Sequence, residues 1–255
     1  MRKFLYLMLL TPFFVISQSA QEYMVMENVM LTAIPAKTME FEAGLAAHNK
    51  KYHAEGTHGA RVYWISNGKN AGKYIWAMGP LPWSAMDSRP AAEGHDEDWS
   101  KNVVPYTTAE SDVTYWKFHP QFSNFSADFN LKYLSVFMVD FKRFKYPEMI
   151  SILERVKKVN AEKNPDEAYG VYTNEMPDSQ DGRDMAFVNF FSNSGWMGRE
   201  DTFPKKFDEV HGEGSFMKFL KDVEAATNGE RSELWTFRED LSGLSGTVNA
   251  QNRQE

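Results

Sequence analysis

Residues 38–53, TMEFEAGLAAHNKKYH, and the stretch ARVYWIS at 60–66 decide the fold, because both recur further along the chain. A shift of 108 positions lays them without a gap on a second segment of the same character. Phe41 falls on Met149, Leu45 on Leu153, His48 on Val156 and Ala60 on Ala168. Phe41, Leu45, His48 and Tyr52 recur every three or four residues, the period of one helix face. ARVYWIS has the β-branched and aromatic content of a strand. A repeat of this length means that the chain is built from two versions of one folding unit.

Working outward, the first copy reads as a strand at 28–34, the helix at 38–53, two strands at 60–66 and 73–78, a weaker helix near 98–106 and a strand at 112–118. The turn NGKNAG between the middle strands is a hairpin signal. The second copy reads as a strand at 133–141, a helix at 147–161, strands at 168–174 and 184–191, one long helical region at 201–226 and a strand at 233–238. A shift of 119 pairs the last strands, Trp116 with Trp235 and Phe118 with Phe237. The expected organisation is a first βαββαβ repeat over 25–120, a linker at 121–131, a second repeat over 132–240 and a disordered Ser-, Gly- and Asn-rich tail at 241–255.

The order βαββαβ is the ferredoxin-like arrangement, an antiparallel four-stranded sheet with both helices on one face. The expected fold class is therefore α+β, with two tandem repeats whose sheets turn their open faces together as a barrel. On this element order and repeat the chain resembles the dimeric α+β barrel superfamily in its fused, two-repeat form. That resemblance implies monooxygenase-type chemistry as one expectation, either free of cofactor or using haem with a histidine ligand.

Composition narrows the function classes. Arg2 and Lys3 precede an apolar run from Phe4 to Ile16 that ends in small and polar residues, so residues 1–20 read as a signal peptide and the protein as exported, to the periplasm or beyond. No later run is long enough to span a membrane. The chain has no cysteine, which excludes disulfides and thiol nucleophiles. Net charge is -7, with basic residues scattered among acidic ones, so nucleic acid is a poor partner. Gly-x-Gly-x-x-Gly, Gly-x-Ser-x-Gly and phosphate-loop motifs are absent.

Candidate site residues follow from what differs between the copies. His48 stands on a core stripe where its counterpart is Val156, so it is either a pocket-facing ligand or base, or a core histidine satisfied by one hydrogen bond. His95-Asp96-Glu97 and His211-Gly212-Glu213 each precede an aromatic, Trp99 and Phe216. As candidate catalytic groups, the two His-x-Glu pairs offer nitrogen and oxygen ligands to a divalent metal, or a carboxylate that orients an imidazole, or simply acidic residues at helix starts, and their spacing matches no tight metal motif. Tyr63, Tyr74, Trp76 and Trp83 concentrate aromatic surface in the first copy. Alternation places Tyr74, Trp76 and Met78 on one sheet face and Ile75 and Ala77 on the other, without saying which faces the space between the sheets. The leading expectation is a small, partly apolar or aromatic ligand held between the sheets by Tyr63, Tyr74, Trp76, Trp83 and His48. A purely structural or interaction role, including oligomer formation, is the third reading.

Overall fold

The computed structural model describes residues 22–89, 93–178 and 181–250, so residues 1–20, read above as a signal peptide, lie outside the described residues. The first copy comprises β1 (Met24–Ala33), α1 (Thr38–Tyr52), β2 (Ala60–Ile65), β3 (Tyr74–Pro82), α2 (His95–Asn102) and β4 (Thr107–Phe118). After the two-residue β5 (Phe129–Asn130), the second copy comprises β6 (Tyr133–Phe141), α3 (Tyr146–Lys163), β7 (Tyr169–Asn174), β8 (Met185–Phe191), α4 (Phe203–His211), α5 (Ser215–Ala226) and β9 (Thr227–Phe237). A short β10 (Thr247–Val248) pairs with β5. No described helix is long and apolar enough to cross a membrane.

The sheets do more than face one another. Within each copy the strand order is that of the ferredoxin-like unit, and the copies join edge to edge into one closed barrel, β1-β3-β2-β9-β6-β8-β7-β4. Two seams close it: Tyr63 to Ile65 of β2 pair with Phe237 to Trp235 of β9, and Trp116 to Phe118 of β4 pair with Asn174 to Tyr172 of β7. Each seam joins strands that would otherwise be free edges, with unpaired backbone groups.

Alternation along the strands then sorts side chains into two layers. Ile75, Ala77, Tyr63, Trp116, Val136, Met138, Val188 and Trp235 point into the lumen and form one apolar cluster. Tyr74, Trp76, Met78 and Val62 point outward and pack against Phe41 and Leu45 of α1. The aromatic pair Tyr74 and Trp76 therefore belongs to the helix-facing layer. Neither can wall a ligand between the sheets, because one strand cannot present the same residues to both faces.

Two local expectations change. The helical region at 201–226 is two helices, broken where Gly212 and Gly214 take left-handed φ of 103° and 76°. Asp208 at the end of α4 accepts hydrogen bonds from Ser215 Oγ and the Phe216 amide, fastening the start of α5. The tail is ordered through residue 250 rather than disordered from 241. Asn49 donates to the Leu241 carbonyl, Ser242 Oγ receives the Val62 amide, and Arg61 donates to the Ser245 and Thr247 carbonyls. Backbone and side-chain partners for nearly every polar group explain why a polar composition did not leave this segment loose.

α1 and α2 pack closely because Gly44 carries no side chain: a Cβ there would lie 1.8 Å from the Asn102 carbonyl oxygen. Backbone on both sides cannot yield cheaply. Gly44→Ala is expected to lower unfolding stability by about 1–3 kcal/mol, the usual cost of overpacking, read as a fall in the urea midpoint at unchanged slope.

Candidate metal centre

Under the outer face of the first sheet, α1 and α2 bring three imidazoles together. His48 lies on the buried stripe of α1, His53 caps that helix's C-terminus and His95 is the first residue of α2. One ring nitrogen from each lies within 4.8 Å of the others. Ring centroids are 4.8 Å apart for His48 and His95 and 5.2 Å for each of the other two pairs. His48 and His53 are buried; His95 is half-buried.

Each ring's Nδ1 faces a group that can only accept. His48 Nδ1 lies 2.8 Å from Asp98 Oδ2, His53 Nδ1 lies 2.7 Å from the His58 carbonyl, and His95 Nδ1 lies 2.8 Å from Asp96 Oδ1. Nδ1 therefore carries the proton in all three, and every neutral ring has its Nε2 lone pair free. Those lone pairs converge. His53 Nε2 and His95 Nε2 are 3.1 Å apart, and His48 Nε2 is buried with no hydrogen-bond partner among the described residues. Two acceptors at hydrogen-bond distance repel unless a proton or a cation lies between them.

Burial argues against placing a proton on His53 or His48. Desolvation presses the His53 pKa down to about 4, opposed only in part by its bond to the His58 carbonyl, with the neighbouring imidazoles adding to the depression. His48 is lowered as well, first by desolvation, with the Asp98 hydrogen bond working the other way. Partial burial pushes the Asp98 carboxyl up, but donation from His48 and Asn102 prevails and holds it below the ordinary value. Asp98 is thus an anion behind the most buried ring. A metal ion bound by three Nε2 atoms, each imidazole steadied through its other nitrogen, resolves the clash and is the usual pattern of histidine metal sites.

Aromatic groups complete the shell. Trp99 meets the His48 ring edge-on at 5.0 Å, and Trp76 meets the His53 ring at 5.1 Å while donating to Asn49 Oδ1. The Tyr52 ring lies 5.0 Å from His48 and 5.1 Å from His95, and its hydroxyl is buried without a hydrogen-bond partner among the described residues. Tyr52 also borders a surface cleft lined by Glu55, Thr57, His58, Ser84 and Ser88, with a volume of about 540 Å³.

Of the residues picked from the sequence, His48 and His95 meet here, and Trp76 stands behind them. His53 and Asp98 were missed; only the docking of α2 on α1 gives them meaning. Glu97 is exposed and bonded to Lys101, and Glu213 is exposed between α4 and α5. His211 ends α4, with Nε2 3.1 Å from the Arg155 carbonyl and its ring 4.5 Å from Phe207. The two His-x-Glu triplets therefore have different places in the fold. Tyr63 lines the lumen, Tyr74 donates to Glu42, and Trp83 packs on Tyr115. Haem does not fit these histidines. His53 Nε2 and His95 Nε2 lie 3.1 Å from each other, too close for either to bind the iron of a flat macrocycle while the other stays in place, His48 Nε2 is buried, and His211 Nε2 is engaged by the Arg155 carbonyl.

No protein-family model and no curated protein matches the sequence. Solved structures do match. A candidate monooxygenase from Lactobacillus acidophilus covers 89% of this chain and 100% of its own at 12% identity, with a TM-score of 0.53. An anthrone oxidase-like protein covers 92% of this chain and 96% of its own at 13% identity, TM-score 0.51. A mutant chlorite dismutase from Candidatus Nitrospira defluvii covers 87% and 94% at 8% identity, TM-score 0.53. This chain has the dimeric α+β barrel fold. It carries the fold in a single chain, both repeats included, and at such identities the likeness speaks for architecture and not for activity.

In the metal-free protein the cluster makes stability pH-dependent. Folded His53 stays neutral to about pH 4, whereas histidine in the unfolded chain protonates near 6.5. Its contribution is therefore whole above pH 6.5 and lost as pH falls from 6.5 toward 4, by on the order of 3 kcal/mol. Urea midpoints at pH 7.5, 6 and 4.5 are expected to fall in that order, with a smaller drop in His53→Gln.

Proposed function

We propose that this is an exported protein that holds one divalent transition-metal ion on His48, His53 and His95, and that the ion serves a reaction. The observation that carries this reading is the convergence of three Nε2 lone pairs whose Nδ1 atoms are all committed to acceptors. Imidazole-only sets suit zinc, copper, iron and nickel, and a chain without cysteine has no softer ligand to offer. Three protein ligands, rather than four, is the count of catalytic sites, which keep a position for water or substrate.

The surroundings fit that use. Tyr52 supplies a buried, unpartnered hydroxyl beside two of the rings, a donor for a small molecule held at the open position. The cleft at Tyr52 and His58 gives such a molecule an approach from solvent. In this reading the protein's own part is fixed: Asp98 and the His58 carbonyl hold two rings in the binding tautomer, and Trp99 and Trp76 keep water from the buried side.

Calorimetric titration of the chelator-treated protein with Zn²⁺, Cu²⁺ and Co²⁺ is expected to show one site per chain, with the Co²⁺ form giving the visible bands of a nitrogen-ligated ion. His48→Ala, His53→Ala and His95→Ala should each weaken binding at least about 100-fold, and Asp98→Asn about 10- to 100-fold, the range found for partners behind a metal ligand. His211→Ala should leave it unchanged. Stoichiometric binding that survives the loss of any two of the three histidines would refute the assignment.

A further inference from the structure

A separate cavity is the barrel lumen, on the other side of the sheet from the imidazoles. Its walls are apolar through the middle, with Met30, Ile75, Leu134, Val136, Met138 and Val188 facing inward beside the rings of Trp116 and Trp235. At one end Val248 and Thr247 of the tail, with Phe125 and Leu131, line a further space of about 250 Å³ that shares Met26, Tyr63, Tyr172 and Phe190 with the lumen. The other end opens through a neck of charged side chains. The space of about 90 Å³ in the lumen and the space of about 200 Å³ in the neck share Met30, Asn70, Asp112, Arg183 and Arg231, so they form one funnel.

Charges in the neck are unevenly paired. Arg183 is fully engaged, donating to Asp112 and Asp181. Glu233, deeper in, has both oxygens occupied, one by Asn70 Nδ2 and the other by Trp235 Nε1, each at 2.8 Å. Arg231 is different. Among the described residues its only ion-pair partner is Asp181 at 3.6 Å, already shared with Arg183, and its Nε is buried with no hydrogen-bond partner there. A buried guanidinium donor without an acceptor costs free energy that an oxyanion would recover. The funnel lining holds four cations, Lys69, Lys73, Arg183 and Arg231, and four anions, Glu110, Asp112, Asp181 and Glu233, but Glu233 already accepts from Asn70 and Trp235 and offers Arg231 no ion pair.

We propose that the funnel binds a short-chain monocarboxylate, its carboxylate on Arg231 and its apolar chain against Trp235, Val136 and Met138. A carboxylate is planar and matches the guanidinium fork. The chain is short because the lumen space of about 90 Å³ is smaller than the ~150 Å³ cavity that admits benzene; about four to six carbons, head in the neck, fill it. A bulky aromatic acid or a polyanion is excluded, the first by volume and the second by Asp112, Asp181 and Glu233. This site is separate from the metal centre, with the sheet between them, and stands whether or not a metal binds there.

The test uses the whole mature protein, titrated with sodium hexanoate under constant ionic strength. Quenching of tryptophan fluorescence and calorimetry follow binding, with hexan-1-ol as the uncharged control. Saturable one-site binding is expected, weakened at least tenfold in Arg231→Gln and at least tenfold for hexan-1-ol, while His48→Ala leaves it unchanged. Val136→Trp, which fills the lumen, should abolish it; because that variant risks misfolding, Val136→Phe is measured beside it and should shorten the best-bound chain to butyrate. Absence of saturable binding up to tens of millimolar overturns the proposal. So does equal affinity of the wild type and Arg231→Gln, and so does equal affinity for hexanoate and hexan-1-ol.

Discussion

A four-stranded ferredoxin-like sheet leaves two things unsatisfied: the face that its helices do not cover, and the backbone groups of its two outer strands. Here both are satisfied by one event, the pairing of β2 with β9 and of β4 with β7. Closing the seams removes every free edge of the main sheet and turns the uncovered faces inward, where Ile75, Val136, Val188 and their neighbours bury one another. Everything else in the molecule is placed by that closure. With the inward face spent on the lumen, each helix pair must lie on the outside, and any chemistry needing helix side chains must sit between helix and sheet.

The two outer layers then diverge. In the second copy the space beneath the helices is filled by Ile152, Val159, Phe207 and Phe219, with Val156 and Phe216 at its border, an ordinary apolar core. In the first copy the corresponding region carries His48, His53 and His95 among Trp76, Trp99 and Tyr52. Burying three imidazoles costs free energy that branched aliphatic side chains would not, and at neutral pH the depressed pKa of His53 leaves its ring with no charge to offset that cost. Under the proposed reading, a bound metal ion offsets that cost. The outer aromatics share in this: Trp76 spans from the cluster to Asn49, which in turn ties down the tail at Leu241.

Much of the architecture was legible in the residues because it is written in short-range periodicity. The stripe Phe41, Leu45, His48 repeats at helical spacing, the strands alternate, and the copies can be laid on each other residue for residue. Even His48 stood out, as a polar group where Val156 is its twin. His53 did not, because it lies just past the helix end, where a histidine among lysines looks like solvent-facing chain. Asp98 looked like one of several acidic residues at a helix start. The matched triplets at His95 and His211 misled for the same reason: spacing along the chain says nothing about which ring another helix will meet.

The sequence alone therefore determined the element types, their order, the duplication and the closure of two sheets around a shared interior, all of which follow from local hydrophobic pattern and from the need to bury it. The tertiary structure alone decided three things. It sent Tyr74 and Trp76 to the helix side of β3, since alternation defines two faces but not which one the helix covers. It ordered the tail through hydrogen bonds to Asn49, Arg61 and Val62, partners about 180 to 190 residues away. And it brought His95 within 3.1 Å of His53 across 42 residues of chain, because a metal-ligating geometry depends on distances between elements that only packing sets.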